Sequence, residues 1–346
     1  MNHPTMSYSF FSVIDHYPAE RFAGHTRTIA KFYQELIEQA KLADELGYDC
    51  FFVAEHHFTE YGVAPNPAIL LAALAQHTKR IKLAPAVAIL PFHDPRLVAE
   101  DYAMLDQLSG GRLVMAAGSG YLKHEFDGFS ARPESKRFRF DEALDILRRF
   151  WNGETVTFKS EHHDLNKVKI NVLPLQDEVP VYVAGLRADV VFHIGKAGHN
   201  LMTVPYASVD HFDQIADMMA DFQRGARENK DMRGGKSVTA LHTFVAENDA
   251  RVRELAADAF NLYVETRRYA KRQTYDDILA SGLSLFGSVE AVTEKLVKLY
   301  SIGVEHVMLL QNFGGLDAEA VKQSMTLIAR EVMPRVNERL KTEMAR

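Results

Sequence analysis

Glu55, His56 and His57 stand together at the end of the apolar run Phe51, Phe52, Val53 and Ala54. A carboxylate beside two imidazoles can ligate a metal, move protons near neutral pH, or only hydrogen-bond locally. Neighbouring side chains on an extended chain point to opposite faces, so His56 and His57 are poorly placed to share one ion. Asp15 and His16 end a second apolar segment, "SYSFFSVI", and a metal-dependent hydrolase built on His56, His57 and Asp15 remains an alternative to proton transfer. The lone cysteine, Cys50, supplies neither a disulfide framework nor a cysteine zinc site. A further pair, His162 and His163, lies in a polar stretch and reads as solvated surface.

Two glycine-bearing turns follow apolar runs. "GSGYLKHEF" (118–126) would let a ligand approach the backbone, and "AGLRAD" (184–189) enters a helix in a way suited to phosphate, with Arg187 adding charge. Arg132, Lys136, Arg137 and Arg139 gather before and at the start of a helix, where cations oppose the helix dipole. An anion nearby and a solvated charged face are both consistent with that.

The elements that must position these residues alternate along the chain. Strands are expected at 7–14, 50–54, 81–90, 112–118, 179–185, 199–204, 237–246 and 304–310. Helices are expected at 28–46, 67–78, 95–108, 138–151, 187–197, 208–228, 249–280, 288–301 and 317–332, with Gly47 ending the first. Such alternation implies an α/β fold with a parallel sheet, and eight strands of this kind suggest a (β/α)8 TIM barrel spanning 1–346 as a single domain. A doubly wound sheet would carry a glycine-rich turn after its first strand, and "SVIDHYPAE" has none. Insertions fall after helix four (152–178, a strand excursion of structural character) and strand seven (261–287). The second can reach the mouth as a lid; it contains the polar "TRRYAKRQTYDD", and Gly282 and Gly287 are its candidate hinges.

In a barrel the residues just past the strand ends converge on one mouth. Asp15, Glu55 to His57, Ser119 to Tyr121, Gly185 to Arg187 and Gln311 to Phe313 would meet there. The 346 residues are 47% hydrophobic and 25% charged with net charge −6. That balance indicates a globular enzyme without a nucleic-acid partner. Neither a leader nor an apolar run long enough for a membrane span is evident, so a cytoplasmic location is expected.

The ordered set EHHF, NP, ILP, DPRLVAED and LDQLSGGR, within residues 54–120, resembles the bacterial luciferase family of flavin-dependent monooxygenases. The likeness is strongest over 8–150 and continues through "VPVYVAG", "FGSVEAV" and "GVEHVMLL". The resemblance implies the same barrel and a reduced-FMN-dependent monooxygenase. In such an enzyme reduced flavin comes from a separate reductase, O2 is activated as a flavin peroxide, and a small organic substrate is oxygenated. It implies His56 as the proton-transfer residue beside the flavin, and a non-prolyl cis peptide at Ala86 and Val87 beneath the ring. It further implies Arg137 with the turn at Gly185 and Leu186 on the phosphate, no metal, and a homodimer. Where luciferase has a cysteine and then a phosphate-binding arginine, this chain has Gly118 and Ser119; Ser119 and Gly120 could still donate hydrogen bonds. A deazaflavin-dependent hydride-transfer oxidoreductase on the same fold is the nearest alternative.

Overall fold

The computed structural model describes residues 5–229, 234–267 and 272–344. Strand β1 (Ser7–Ser12) leads to helix α1 (Ile29–Leu46), which Thr28 caps by accepting the Lys31 N–H. Gly47 ends α1 at φ 82, a left-handed conformation that glycine enters without Cβ strain. Next come β2 (Cys50–Val53) and α2 (Pro67–His77), whose first turn pairs the Asn66 cap with Pro67. The third barrel strand is in two pieces, β3 (Lys82–Pro85) and β4 (Ala88–Ile89), joined through a cis peptide between Ala86 and Val87, as the resemblance implied.

The chain continues through α3 (Pro95–Ser109), β5 (Met115–Gly118), a short α4 (Lys123–Gly128) and α5 (Lys136–Trp151). An antiparallel hairpin, β6 (Val156–Lys159) and β7 (Asp164–Val168), forms the strand excursion expected after helix four. Then follow β8 (Val181–Gly185), α6 (Val191–Lys196), β9 (Asn200–Thr203), α7 (Pro205–Ser208) and α8 (Gln214–Glu228). The last third comprises β10 (Ser237–Ala246), α9 (Asp249–Thr266), α10 (Tyr275–Ser281), β11 (Ser284–Ser288), α11 (Val289–Ser301), β12 (His306–Asn312), α12 (Ala318–Leu327) and α13 (Met333–Met344).

The main sheet is parallel, in the order β3-β2-β1-β12-β10-β9-β8-β5-β4. Its two ends are halves of the same strand. β3 pairs with β2, β4 pairs with β5, and a Leu83–Leu113 bridge spans the join, so the ring comes round on itself as the expected α/β barrel. Its core is aromatic and aliphatic, with Phe10 stacked on Phe51 at 4.6 Å between centroids. Each such buried side chain contributes about 1.5–3 kcal/mol over leaving it exposed.

Four expectations change. β11 is an extra strand: β12 takes β10 at Thr239–His242 and β11 takes it at His242–Ala246, so both halves of a ten-residue strand are paired. Only Leu285 and Phe286 mark "SLFGS" as apolar, too weak a signal to separate it from a loop. The helical stretch 249–280 is two helices, with 268–271 outside the described residues. The helix expected at 187–197 shortens to α6 behind a 3-10 turn at Ala188–Val190. The final helix runs on past residue 332 as α13, burying Val336 and Leu340.

Candidate functional site

Beyond β2 the chain stays beside β1, where the Ala54 N–H donates to the Ser12 carbonyl at 3.1 Å, and Glu55, His56 and His57 are all buried. Phe58 then adopts a left-handed backbone (φ 64), which turns the chain outward. Helix α4 grips this turn with consecutive residues. His124 Nε2 donates to the His57 carbonyl at 3.1 Å, and Glu125 Oε1 accepts the His57 N–H at 2.9 Å. The approach is close: a Cβ on Gly128 would stand 2.4 Å from the Phe58 ring.

His56 and His57 diverge, as an extended chain requires. His56 Nδ1 lies 3.0 Å from Glu125 Oε1, whereas His57 Nε2 lies 3.0 Å from Glu55 Oε1. The same Glu55 oxygen meets His93 Nε2 at 2.6 Å, and its other oxygen accepts the Ile89 N–H at 3.2 Å. Burial would raise the Glu55 pKa, but the hydrogen bonds and charge of His57 and His93 outweigh it and lower the value. Burial would lower that of His93, and the Glu55 carboxylate more than reverses it.

The trio proposed for a metal hydrolase does not assemble. The Asp15 carboxylate takes the Tyr17 hydroxyl and the Gly314 N–H, each at 2.6 Å, and braces β1 against the segment after β12. Burial raises the Asp15 pKa against those two bonds. Glu55, His57 and His93 do converge, with one ligand atom each within 4.8 Å of one another. Their facing atoms already pair as donors and acceptor around Glu55 Oε1.

Ala86 and Val87 are partly exposed at the seam between β3 and β4. A Cβ on Gly118 would lie 2.4 Å from Val87 Cγ2, so valine at 87 accounts for glycine where luciferase has cysteine. Gly120 has φ 75, and a side chain there would crowd Ile89 and Phe126 at 3.1 and 3.2 Å. The Gly120 carbonyl accepts from Lys136 Nζ at 3.2 Å. Arg137 reaches across one helical turn to Asp141 at 2.8 Å with its side chain 62% exposed. Arg139 shares a face of α5 with Lys136, and its buried Nε has no hydrogen-bond partner among the described residues. Gly185 ends β8, its carbonyl accepting from Thr203 Oγ1 at 3.1 Å; Leu186 is half-buried, and the exposed Arg187 pairs with Asp189. Gln311 and Asn312 lie within β12 rather than beyond it, and bond to Tyr48 and Gln39 at 3.3 and 2.8 Å.

An aromatic wall faces His56: Tyr61 at 4.4 Å and Tyr121 at 6.1 Å between ring centroids. The Tyr61 hydroxyl meets that of Tyr263 at 3.2 Å, which meets that of Tyr206 at 3.1 Å. His242 packs on Tyr206, and burial, with the charge of Arg267, pushes its pKa well below the ordinary value.

Two further readings are corrected. His163 is not solvated surface: its Nδ1 sits 2.9 Å from Glu142 Oε2, tying the hairpin to α5. The span 261–287 is not a single lid, because most of it is α9, α10 and the sheet strand β11. Its polarity misled, since Arg267 is only 4% exposed and stacks over the Tyr206 and Tyr263 rings. Gly282 caps α10 at φ 76 and Gly287 lies in β11, so neither is a loop hinge. Sequence reading passed over Glu125 and His93. Their signal was weak: Glu125 is one of three consecutive polar residues in "LKHEF", and His93 follows the apolar "LPF".

Comparison with known proteins places this site in context. The luciferase-like monooxygenase family model matches residues 16–306. Limonene 1,2-monooxygenase of Rhodococcus erythropolis is 28% identical, covering 88% of this chain and 80% of that protein. The oxygenase component of flavin-dependent trigonelline monooxygenase from Acinetobacter baylyi is 24% identical, covering 90% and 92%. An F420-dependent glucose-6-phosphate dehydrogenase of Amycolatopsis mediterranei is 34% identical over a shorter stretch, 48% of this chain and 51% of that protein. Among solved structures, monooxygenase RslO1 from Streptomyces bottropensis superposes with TM-score 0.84 at 25% identity, covering 95% and 99%. The oxygenating constituent of a Pseudomonas putida diketocamphane monooxygenase, in complex with FMN, shares the fold with TM-score 0.80 at 19% identity, covering 96% and 99%.

Proposed function

Because the chain belongs to the luciferase-like monooxygenase family, we propose that it is the oxygenase of a two-component system, taking reduced FMN from a separate reductase and oxygenating a small organic substrate with O2. The observation that carries this reading is one of coverage. Sequence likeness to named monooxygenases runs over nearly the whole chain, whereas sequence likeness to the F420-dependent glucose-6-phosphate dehydrogenase covers about half of it; the fold itself is shared with both kinds, an F420-dependent secondary alcohol dehydrogenase superposing over 96% of this chain with TM-score 0.73.

The residues at the mouth fit a flavin. Ala86 and Val87 offer a partly exposed apolar surface for a ring. Ser119, Gly120, Gly185 and Leu186 bring backbone to the same mouth for a phosphate, with Arg137 at the start of α5. The orphaned Arg139 Nε and the ammonium of Lys136 supply cationic donors that an anion would complete. Bound reduced flavin supplies the electrons that activate O2. The protein orients substrate against that ring, excludes water with the wall of Tyr61 and Tyr121, and holds or moves a proton at His56.

The same reading treats residues 1–346 as one cytoplasmic unit that pairs as a homodimer. No helix among the described residues is long and apolar enough to cross a membrane. Leu97, Met104 and Leu108 recur on one face of α3 and are exposed, with exposed Ile69 on adjacent α2, an apolar surface a second copy would cover.

Anaerobic titration of the purified protein with reduced FMN and with reduced F420, followed by fluorescence, tests the cofactor. Saturable binding of reduced FMN is expected; binding of reduced F420 alone would transfer the chain to the hydride-transfer reading.

A further inference from the structure

We propose that Glu125 is the positioning residue of the mouth histidine: its buried carboxylate fixes His56 with a proton on Nδ1 and stabilises the imidazolium formed when Nε2 takes up a second proton. The assignment deepens the proposed function and rests on its reading of His56 as a proton-transfer group.

Hydrogen-bond logic fixes the direction of each contact. The His57 backbone N–H can only donate, and it donates to Glu125 Oε1 at 2.9 Å, so that oxygen is an acceptor. With Glu125 ionised, that oxygen has no proton to give, so the His56 Nδ1 contact to the same atom at 3.0 Å is also an N–H donating. With the proton held on Nδ1, the lone pair of the neutral ring is on Nε2. Protonation there adds one N–H and breaks no bond to Glu125, so the ring can accept and return a proton without reorganising its anchor.

Burial gives the pair its strength. Glu125 has no exposed surface, and its Oε2 has no hydrogen-bond partner among the described residues. A carboxylate so desolvated is under-compensated by two neutral N–H donors, and a positive charge on His56 supplies what is missing. The same shared oxygen ties the ring to the backbone of the next residue, so imidazole and turn move as one body. The other titratable groups near His56 are the phenols of Tyr61 and Tyr121, with His124 of α4 bonded to the His57 carbonyl. Glu55 and His93 face His57 instead. Glu125 is thus the carboxylate in contact with the His56 ring. The relation is that of a histidine oriented by an acid, with the partners drawn from the segment after β2 and from α4.

The test is NMR of the flavin-free protein with 15N-labelled histidine, comparing wild type, Glu125→Gln and His56→Ala, the last to assign the signal. Wild type should show the neutral His56 ring protonated on Nδ1. Glu125→Gln replaces the shared carboxylate oxygen by an amide that can present N–H as well as C=O, so the share of neutral His56 rings protonated on Nδ1 should fall, and turnover with it. A wild-type ring protonated on Nε2 overturns the proposal without any variant having to fold, and so does an unchanged Nδ1 preference with unchanged turnover in Glu125→Gln. If His56→Ala keeps full oxygenation, the proton-transfer reading fails, while the tautomer seen by NMR still decides the role of Glu125.

Discussion

Gly118 can be perturbed by a single methyl. A Cβ built there would stand 2.4 Å from Val87 Cγ2, whereas two carbon atoms prefer ~3.5–4.0 Å. Relief requires rotating Val87 or easing β5 away from β4, which are paired at Ala88–Ala117 and Ile89–Gly118. Overpacking of this kind costs about 1–3 kcal/mol, so Gly118→Ala should lower the unfolding free energy by that amount. Val87→Ala removes the obstructing methyl, and at a half-buried site it should cost about 1 kcal/mol by itself. Both changes act on one contact. The double variant should therefore be more stable than the sum of the singles by about 1–2 kcal/mol. Urea unfolding of the four proteins, read by circular dichroism, measures the coupling through shifts in midpoint at constant slope. A Gly118→Ala protein as stable as the parent, or additivity within about 0.5 kcal/mol, would refute the claim that Val87 dictates glycine here.

Lys136→Ala should weaken FMN by roughly ten- to a hundredfold while leaving riboflavin nearly unchanged, with Arg137→Ala milder because Asp141 already holds that guanidinium; equal losses for FMN and riboflavin would remove the phosphate assignment. The Glu55–His93 pair should stabilise within a pH window. Glu55, lowered, contributes above its unfolded pKa of about 4.3 and loses that contribution as pH falls through its folded value. His93, raised, contributes fully below about 6.5 and loses it as pH rises through its folded value. The stability difference between wild type and His93→Ala, from urea midpoints across pH, should peak near about pH 5–6 and shrink on both sides; a difference that keeps growing toward alkaline pH contradicts the pairing.

The alternation of apolar runs with amphipathic segments was enough to specify the barrel, because strand and helix periods are local properties of the chain. The left-handed Gly47 was legible too, since its geometry depends on a few neighbouring residues. The divergence of His56 and His57 was legible for the same reason: adjacent residues on an extended chain face opposite ways wherever that chain lies. β11 was not legible, since a five-residue strand with two large apolar side chains is made a strand by the unpaired half of β10. Nor was the burial of Arg267, which depends on the ring of Tyr206 from α7 as well as on that of Tyr263 one turn back on α9.

The sequence by itself determined which groups could act and that Glu55, His56 and His57 would follow the end of the second strand. Only the tertiary structure decided their partners: Glu125 for His56, Glu55 and His93 for His57, Tyr17 and Gly314 for Asp15. The physical reason is one of range. Backbone periodicity is set within a few residues, whereas a hydrogen bond between a side chain after β2 and one on α4, 69 positions apart, exists only once the barrel has closed.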